Sequence, residues 1–271
     1  MEGSAVKLSG VITTRNEAEN IGNCIRAFDR FREDVEIIVV DNSSTDDTKD
    51  IAKKLGARVF NKGPERCAQR NLGWKEASAG WVLILDADMI VPEALVEEMF
   101  AVIDSGRSDA CWIPEVRTGR GLRTRARNFE RSFYDGTPVD ALRLFRKSVL
   151  EDAGGYDESL IAGGEDWDLD NRVLALKVKC EVLKTALIHN EKSLTVRRLL
   201  AKKAYYSKTI GRYRAKWPGH PAVNKQFSVY YRFVGVFVEN GKWKKLVRHP
   251  ILAAVMYFER FAVAATYLLR R

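Results

Sequence analysis

The sequence predicts an α/β fold in which helices cover both faces of a mostly parallel sheet. Short apolar runs alternate with segments whose apolar residues recur at helical spacing, and short turns connect the two kinds of segment. Polar residues follow three of the apolar runs, at residues 13–15, 41–42 and 86–88. Because ligands bind beyond the carboxyl ends of the strands in such sheets, these clusters are expected to meet at one ligand-binding edge.

The strands are predicted from apolar runs that polar or turn-forming residues bound. The run from Trp81 to Leu85 is apolar at every position, which is typical of a strand buried on both faces. The predicted strands, in chain order, are Leu8–Thr13, Glu36–Val40, Arg58–Phe60, Trp81–Leu85, Ala110–Val116, Ala141–Phe145 and Cys180–Leu187.

The helices are predicted from apolar spacing and from residues that begin or end helices. Turn and N-cap residues precede the second helix, Gly56 and Gly80 close the second and third, and Pro92 opens the fourth. The predicted helices are Asn20–Phe28, Thr45–Leu55, Cys67–Ala79, Pro92–Ile103, part of the basic segment Thr118–Arg131, Lys147–Ala153 and Asp166–Leu176.

The 271-residue chain is long enough for one large domain with an appendage, and its net charge of +9 is unevenly distributed. Residues 191–271 contain 18 Lys and Arg against 3 Asp and Glu, whereas residues 1–190 contain 27 against 33. A basic C-terminal part indicates an anionic partner, such as nucleic acid, anionic lipid or a phosphorylated substrate. We find no nucleic-acid-binding motif, so nucleic acid is not the expected partner.

The cysteines and the N-terminus favour a reducing, cytoplasmic setting. Cys24, Cys67, Cys111 and Cys180 are scattered without a Cys-x-x-Cys pair, so neither a thiolate metal site nor a disulfide framework is expected. The first seven residues contain no apolar segment of the kind that signal peptides have, and none is expected here.

Two carboxylates, Asp86 and Asp88, follow the buried strand Trp81–Leu85 with only Ala87 between them. Carboxylates at the end of a buried strand need a partner, and Mg²⁺ and Mn²⁺ prefer such oxygen ligands. An ion held by one or two carboxylates completes its shell with water and substrate phosphate, so the pattern indicates a nucleoside-diphosphate site. The alternative is an acidic turn, and the two residues alone leave both interpretations open.

A second acidic cluster follows two glycines, with Glu165 and Asp166 at the start of the last predicted helix and Asp168 and Asp170 behind them. The helix dipole favours acids at such a position, but four in six residues exceed what a cap requires. A carboxylate here could act as general base for an acceptor hydroxyl. His189 follows the last strand, where an imidazole is either structural or a metal ligand.

The sequence lacks the glycine-rich loops that hold phosphates in other nucleotide-binding folds. Neither Gly-x-Gly-x-x-Gly after the first strand nor Gly-x-x-x-x-Gly-Lys is present. A metal ion, Mn²⁺ or Mg²⁺, is therefore expected to hold the phosphates.

Together these motifs resemble those of the inverting nucleotide-sugar glycosyltransferases of family 2, which have the GT-A fold. The resemblance covers residues 8–192. The motifs that carry it are Thr13-Thr14-Arg15-Asn16-Glu17, Val39-Val40-Asp41-Asn42-Ser43-Ser44-Thr45-Asp46, Arg70-Asn71-Leu72-Gly73, Leu85-Asp86-Ala87-Asp88, Gly154-Gly155-Tyr156-Asp157, Gly164-Glu165-Asp166-Trp167-Asp168-Leu169 and His189.

The resemblance implies a GT-A catalytic domain over residues 1–192 that takes its sugar from a UDP- or GDP-sugar. It also implies where the donor nucleotide binds. The residues that match the family's donor site are Thr13, Arg15, Glu17, Asp41, Arg70, Asp86 and Ala87.

The resemblance further implies the metal site and the catalytic base. The residues that match the metal ligands are Asp86 and Asp88, and His189 completes the site in some members. Asp166 matches the general base, with Glu165 beside it. The reaction is a direct displacement that inverts the anomeric carbon, in which the base accepts the acceptor's proton and the metal draws charge from the departing diphosphate.

Residues 193–271 are expected to form a basic, aromatic-rich helical appendage that faces a membrane. The segment Pro250–Leu269 is nearly apolar, but the charges of Glu259 and Arg260 at its centre argue against a spanning helix. Basic residues with aromatic residues favour helices that lie on an anionic membrane surface, peripherally on its cytoplasmic face. The alternative is that these helices pack on the catalytic domain and form a homo-oligomer. The expected acceptor is a lipid-linked glycan or a polyprenyl phosphate.

Two other functions compete with this one. A metal-dependent sugar nucleotidyltransferase would share the acidic clusters, but that class usually carries a glycine-rich loop with Arg and Lys after its first strand, and the sequence has none. A non-catalytic protein that binds polyanions or membranes would explain the basic C-terminal part, but not the acidic clusters. The sequence favours the glycosyltransferase and leaves the sugar and the nucleotide base open.

Overall fold

The structure of the protein is a computed structural model that describes residues 6–161, 163–190 and 209–268. Its strands belong to two sheets, a large central one and a small one beside it. The strands are β1 (Leu8–Thr14), β2 (Val35–Asp41), β3 (Arg58–Asn61), β4 (Trp81–Asp86), β5 (Met89–Ile90), β6 (Ala110–Trp112), β7 (Glu115–Arg117), β8 (Leu142–Arg146), β9 (Cys180–Val182) and β10 (Leu187–His189).

The helices follow the strands in the alternation that the sequence predicts. They are α1 (Ile21–Arg26), α2 (Thr48–Lys54), α3 (Arg66–Glu76), α4 (Glu93–Ser105), α5 (Leu122–Arg131), α6 (Lys147–Ala153), α7 (Glu165–Ala175), α8 (209–216), α9 (Pro221–Phe227), α10 (Val236–Val238), α11 (Trp243–Arg248) and α12 (Pro250–Leu268). Short 3₁₀ segments lie at Asp29–Phe31 and Glu239–Gly241, and a π-helical segment at Tyr231–Gly235.

The central sheet has the strand order β3-β2-β1-β4-β8-β6-β9. Neighbouring strands are parallel except that β8 runs antiparallel to both β4 and β6. The predicted mostly parallel α/β sheet is thus confirmed. Thr14 pairs with Asp41 and Thr13 pairs with Asp86, so β1, β2 and β4 end at the same edge of the sheet.

Two predicted strands are wrong, because each is divided between the two sheets. The predicted strand Ala110–Val116 breaks at Pro114, whose nitrogen has no hydrogen to donate to a neighbouring strand. The predicted strand Cys180–Leu187 ends after Val182, and the chain turns through residues 183–186 before β10 begins. In both cases the first half stays in the central sheet and the second half enters the small sheet.

The small sheet has the order β5-β10-β7, and it places the end of β10 beside the turn after β4. His189 pairs with Met89 on β5 in an antiparallel ladder and with Arg117 on β7 in a parallel one. The N–H of Asn190 donates to the carbonyl oxygen of Asp88 at 2.8 Å. This pairing holds His189 next to Asp88.

Apolar layers cover both faces of the central sheet. One layer packs β1, β2 and β4 against α1 and α4, and the other packs the opposite faces of these strands against α3, α6 and α7. Gly73 allows α3 to lie directly on β1, since a Cβ at this position would be 2.2 Å from Cγ1 of Val11. The buried runs of β1 and β2 thus form the surface on which α3 packs.

The described C-terminal helices pack on the rest of the molecule through both apolar and charged contacts. Helix α12 lies against α5, where Glu259 forms ion pairs with Arg123 at 2.7 Å and Arg127 at 3.4 Å. Arg260 forms an ion pair with Glu130. The two charges that interrupt the apolar C-terminal segment therefore bind α5.

No helix in residues 6–161, 163–190 and 209–268 combines the length and apolar character that a membrane span requires. The predicted domain boundary after residue 192 lies outside the described residues, as does the part of the basic C-terminal region before residue 209.

Candidate active site

A cavity of about 670 Å³ lies beyond the carboxyl ends of β1 and β4. Side chains from both sheets, from α3 and from α7 line it. The sequence-predicted site residues among them are Thr13, Arg15, Glu17, Arg70, Asp86, Ala87, Asp88, Glu165, Asp166 and His189. The structure therefore brings the separate acidic motifs of the sequence to one place.

The loops after β1 and β2 form one side of the cavity and are tied to each other. The backbone N–H of Asn16 donates to Oγ of Ser44 at 2.8 Å, and Oδ1 of Asn16 accepts the N–H of Thr45 at 2.8 Å. The side-chain amide of Gln69 donates to the carbonyl oxygens of Thr14 and Val40. These bonds fix the polypeptide that carries Arg15 and Glu17 to the cavity.

Asp41 is the one predicted site residue that does not line the cavity. Its side chain is fully buried and accepts hydrogen bonds from the N–H of Ser44, at 2.8 Å, and from the Ser44 hydroxyl. Asn42, which follows it, lines the cavity instead. In this structure Asp41 shapes the loop, and its contact with the donor base stays a prediction.

Asp86 faces two arginines that lie one turn apart on α3. Its carboxylate is 3.4 Å from Arg70 and 3.9 Å from Arg66, and it accepts a hydrogen bond from the Thr13 hydroxyl at 3.1 Å. Burial alone would raise the pKa of Asp86. The positive charges of Arg70, Arg66 and Arg143 outweigh burial and hold its pKa well below the ordinary value.

Arg70 joins this carboxylate to the predicted base. Its guanidinium donates to Asp166 at 2.6 Å as well as contacting Asp86, and its side chain is 1% exposed. Burial disfavours the charged guanidinium, but the nearby carboxylates, chiefly Asp166, raise its pKa well above the ordinary value. Arg70 therefore stays protonated and holds Asp166 towards the cavity.

Glu165 is the buried member of the second acidic motif. The side chain of Glu165 is 4% exposed, and its carboxylate lies 3.4 Å from Arg66. Burial and the neighbouring charge of Asp166 raise the pKa of Glu165. The more exposed Asp166 is thus the carboxylate of this pair that can meet a ligand, while Glu165 lies behind it.

Asp88 and His189 meet at the lining of the cavity. Oδ2 of Asp88 is 2.9 Å from Nε2 of His189. Two neighbouring ligands of an octahedral ion with bonds of about 2.1 Å lie about 3 Å apart, so this oxygen and this nitrogen fit Mn²⁺ or Mg²⁺. Across the described residues no three His, Cys, Asp or Glu side chains are grouped to hold an ion by themselves. Asp86 is turned to the arginines, and its part as a third ligand stays a prediction.

The remaining two acids of the second motif point away from the cavity. Asp168 is fully buried and binds Arg172 at 2.8 Å, Lys216 at 2.9 Å and the indole N–H of Trp217 at 2.8 Å. Asp170 is also buried, and it accepts the backbone N–H of Leu142. Burial, followed by the negative charge of Asp166, raises the pKa of Asp170 well above the ordinary value. These two acids position α7 and the C-terminal region.

Several cavity residues were not expected from the sequence. Arg66 stands four residues before Arg70, a spacing that places both on one face of α3 and could have indicated it. Arg143 on β8 pairs with Glu115 on β7 at 2.5 Å, and Arg131 lies 3.8 Å from the same carboxylate. The sequence does not signal these contacts, because they bring β8 and α5 to β7 in the folded chain.

One wall of the cavity is apolar, and it adjoins the C-terminal region. Val139, Trp167 and Ile210 all line the cavity. Val139 also packs against the aromatic cluster formed by α5, α12 and residues 231–237, whereas Trp167 and Ile210 pack around Tyr213 of α8. This part of the cavity is therefore built partly by the C-terminal helices.

A mostly parallel sheet with an Asp-x-Asp turn and a carboxylate-lined cavity at its carboxyl edge defines the GT-A class of nucleotide-sugar-binding folds. The sequence model of glycosyl transferase family 2 matches residues 9–154, which is more than half of the chain. The chain belongs to this family of glycosyltransferases.

Curated proteins with similar sequences also carry the names of glycosyltransferases. An uncharacterised glycosyltransferase of Rickettsia prowazekii is 36% identical over 104 residues, which cover 38% of this chain and 35% of that protein. A dolichol-phosphate mannosyltransferase of Pyrococcus furiosus is 29% identical over 123 residues, which cover 42% of this chain and 35% of that protein. The chain thus spans about a third of the length of these curated relatives.

A solved structure has the same fold over almost the whole chain. The mannosyltransferase PcManGT of Pyrobaculum calidifontis, in complex with GDP-Man and Mn²⁺, superposes with a TM-score of 0.62 at 16% identity. The match covers 99% of this chain and 81% of that one. At this identity the likeness establishes the fold.

Proposed function

We propose that the protein is a metal-dependent, inverting glycosyltransferase that moves a sugar from a UDP- or GDP-sugar to a hydroxyl of a lipid-linked glycan or polyprenyl-phosphate acceptor. The observation that carries the proposal is the meeting of Asp166, held by Arg70, and Asp88, beside His189, in one cavity. Sugar transfer needs a base for the acceptor and positive charge beside the leaving diphosphate. Asp166 would act as the base, and Asp88 with His189 would form the site for a positively charged metal ion.

Asp88 and His189 would hold Mn²⁺ or Mg²⁺, and the bound ion would withdraw charge from the leaving diphosphate. The chain's own residues do the rest. Asp166 accepts the proton of the acceptor hydroxyl, and Arg70 keeps that carboxylate aimed into the cavity. A single displacement inverts the anomeric carbon and needs one base but no carboxylate nucleophile.

We further propose that the acceptor reaches the cavity from an anionic membrane, with the protein peripheral on its cytoplasmic face. What supports this is the apolar cavity wall of Val139, Trp167 and Ile210, which continues into the C-terminal aromatic clusters. An acceptor with a lipid chain gains from such a wall, because apolar surface is removed from water when it binds. The excess of basic residues after residue 190 supports the same partner.

The experiment that tests the proposed function measures nucleotide release from a panel of UDP- and GDP-sugars with Mn²⁺ and a lipid-linked acceptor. Asp166→Asn is expected to lower transfer by about 10²–10⁴-fold, the usual contribution of a general base, while donor affinity by calorimetry stays unchanged. Asp152→Asn, at an exposed position on α6, serves as the control and retains full activity. Near-normal turnover in Asp166→Asn would remove Asp166 as the base.

The metal site is tested by Mn²⁺ affinity rather than by activity. With UDP or GDP present, Asp88→Asn and His189→Ala are each expected to weaken Mn²⁺ binding by about 10–100-fold, measured from the electron paramagnetic resonance of free Mn²⁺. Asp86→Asn is expected to weaken it less, because Asp86 faces Arg70 and Arg66. Equal Mn²⁺ affinity in wild type and Asp88→Asn would contradict the assignment.

The same assays separate the competing functions. A sugar nucleotidyltransferase would release pyrophosphate from a nucleoside triphosphate and a sugar phosphate, with no turnover of nucleotide sugars. A non-catalytic binding protein would bind vesicles or polyanions and release no nucleotide from any donor. Either result would replace the proposed function.

A further inference from the structure

The solvent-facing side of α12 is apolar over residues 251–262. The exposed side chains are Ile251, Ala254, Phe258, Phe261 and Ala262, and their spacing places them on one face of the helix. Ile251 is 69% exposed and Phe258 is 74% exposed, values that large apolar side chains seldom have together. This set is called the outward face of α12 below.

The charges of α12 lie on its inner side. Glu259 binds Arg123 and Arg127 of α5, and Arg260 binds Glu130 of the same helix. Met256 is buried in the aromatic cluster. A helix on a protein surface ordinarily points its charges to water, whereas the two charges of α12 face α5 and its exposed side chains are apolar. Its outward face is therefore built to meet an apolar medium.

Helix α11, joined to α12 through His249, carries basic residues beside exposed apolar ones. Trp243 and Val247 are exposed one turn apart, and so are Lys244 and Arg248. Among the residues that the structure describes, Lys244 and Arg248 make no ion pair. Apolar and aromatic side chains next to unneutralised cations are the pattern of helices that lie at the surface of an anionic bilayer.

The charges decide between a bilayer and a second copy of the chain. Residues 209–268 contain ten Lys and Arg and two acidic residues, Glu239 and Glu259, both of which are engaged in ion pairs. A second copy of the chain would bring a region with the same excess of positive charge against this one, which costs free energy. An anionic headgroup layer neutralises the same cations.

We propose that α11 and the outward face of α12 lie in the headgroup layer of an anionic bilayer, with Phe258 and Phe261 inserted and Lys244 and Arg248 on lipid phosphates. This specifies the contact surface for the membrane partner of the proposed function, and it rests on that function only for the presence of a lipid-linked acceptor. Since α12 also packs on α5, beside the apolar cavity wall, the cavity lies close to the lipid.

The test is co-sedimentation of the full chain with vesicles of phosphatidylcholine, alone or mixed with phosphatidylglycerol. Phe258→Glu is expected to lower the partition coefficient on mixed vesicles by at least about tenfold, since it places a charge in the apolar layer. The double change Lys244→Gln with Arg248→Gln is expected to lower it by roughly 20-fold on mixed vesicles and little on neutral ones. Leu174→Glu, an equally large change at an exposed leucine of α7, is the matched control and binds as wild type.

Point changes are used because α12 also supplies core residues, so its removal would disturb the fold. Thermal unfolding confirms that each variant remains folded. Equal vesicle binding by wild type and Phe258→Glu overturns the proposal. So does a dimer, seen by light scattering, that Phe258→Glu dissociates while vesicles bind neither protein.

The readouts separate this proposal from the proposed function. Nucleotide release from the donor without vesicles is expected to be the same in Phe258→Glu and wild type. If no variant releases nucleotide but vesicle binding follows the expected pattern, the proposed function fails and the contact surface stands.

Discussion

At the residue scale, Arg70 is the side chain on which the site depends. The sequence identifies Asp86 and Asp166 separately, 80 residues apart, from an Asp-x-Asp turn and a glycine-led helix start. The structure joins them through one buried guanidinium. The sequence could indicate which carboxylates line the site, but not that an arginine links them, because that contact depends on how α3 and α7 pack.

Arg70→Met is expected to lower the free energy of unfolding by about 2–4 kcal/mol at pH 7, because it leaves two carboxylates without their buried partner. Asp86 has a depressed pKa in the folded protein, so its stabilising contribution is present above pH ~4 and is lost as the pH falls through the folded pKa. The difference between wild type and variant is therefore expected to narrow below pH ~4. Urea unfolding between pH 3 and pH 7 (roughly the range of carboxylate titration) measures it.

Arg70→Lys is the control for this prediction. It keeps the positive charge but loses the guanidinium's two separate contacts, so it is expected to lose less stability than Arg70→Met. An unfolding curve of Arg70→Met that matches wild type at every pH would show that the ion pairs contribute nothing to stability.

At the element scale, long apolar runs were predictable and short strands were not. The runs of β1, β2 and β4 are buried on both faces, so their sequence alone identifies them. Strand β5 has two residues, too few for any periodicity. Pro114 divides a run that looks continuous, and the halves separate because each finds a different neighbour. The contact between Asp88 and His189 depends on these short strands.

Gly73→Ala is expected to destabilise the protein by about 1–3 kcal/mol. A Cβ at residue 73 would lie 2.2 Å from Cγ1 of Val11, so α3 must move away from β1. The matched control is Gly211→Ala in α8, where a Cβ meets nothing within 4 Å; this change is expected to stabilise by about 0.5–1 kcal/mol. Urea unfolding measures both. Equal stability of Gly73→Ala and wild type would contradict the close packing of α3 on β1.

At the scale of the whole molecule, the C-terminal region is fastened to the family 2 domain by ion pairs at two places. Lys216 binds Asp157 and Asp168 at one end, and Glu259 binds Arg123 and Arg127 at the other. The composition indicated the basic character of this region. The sequence could not indicate how the region attaches, because Glu259 and Arg260 inside an apolar run do not reveal that their partners lie on α5.

Glu259→Gln is expected to lower the free energy of unfolding by about 1–2 kcal/mol and to increase amide hydrogen exchange in residues 250–262. The reason is that one carboxylate binds two arginines of α5. Glu93→Gln is the control, because Glu93 pairs with Arg30 where both side chains are more than half exposed, and such pairs contribute little. Unchanged exchange in residues 250–262 would contradict this attachment of α12.

The two crossings between the sheets have a consequence for variation in this chain. His189 faces Asp88 because Leu187 and Ile188 align with Glu115 and Val116 on β7. Sliding β10 by one residue against β5 and β7 would turn the imidazole to the opposite side of its strand. Changes in the connector 183–186 are therefore compatible with an intact contact between Asp88 and His189 as long as the pairing of β10 is kept.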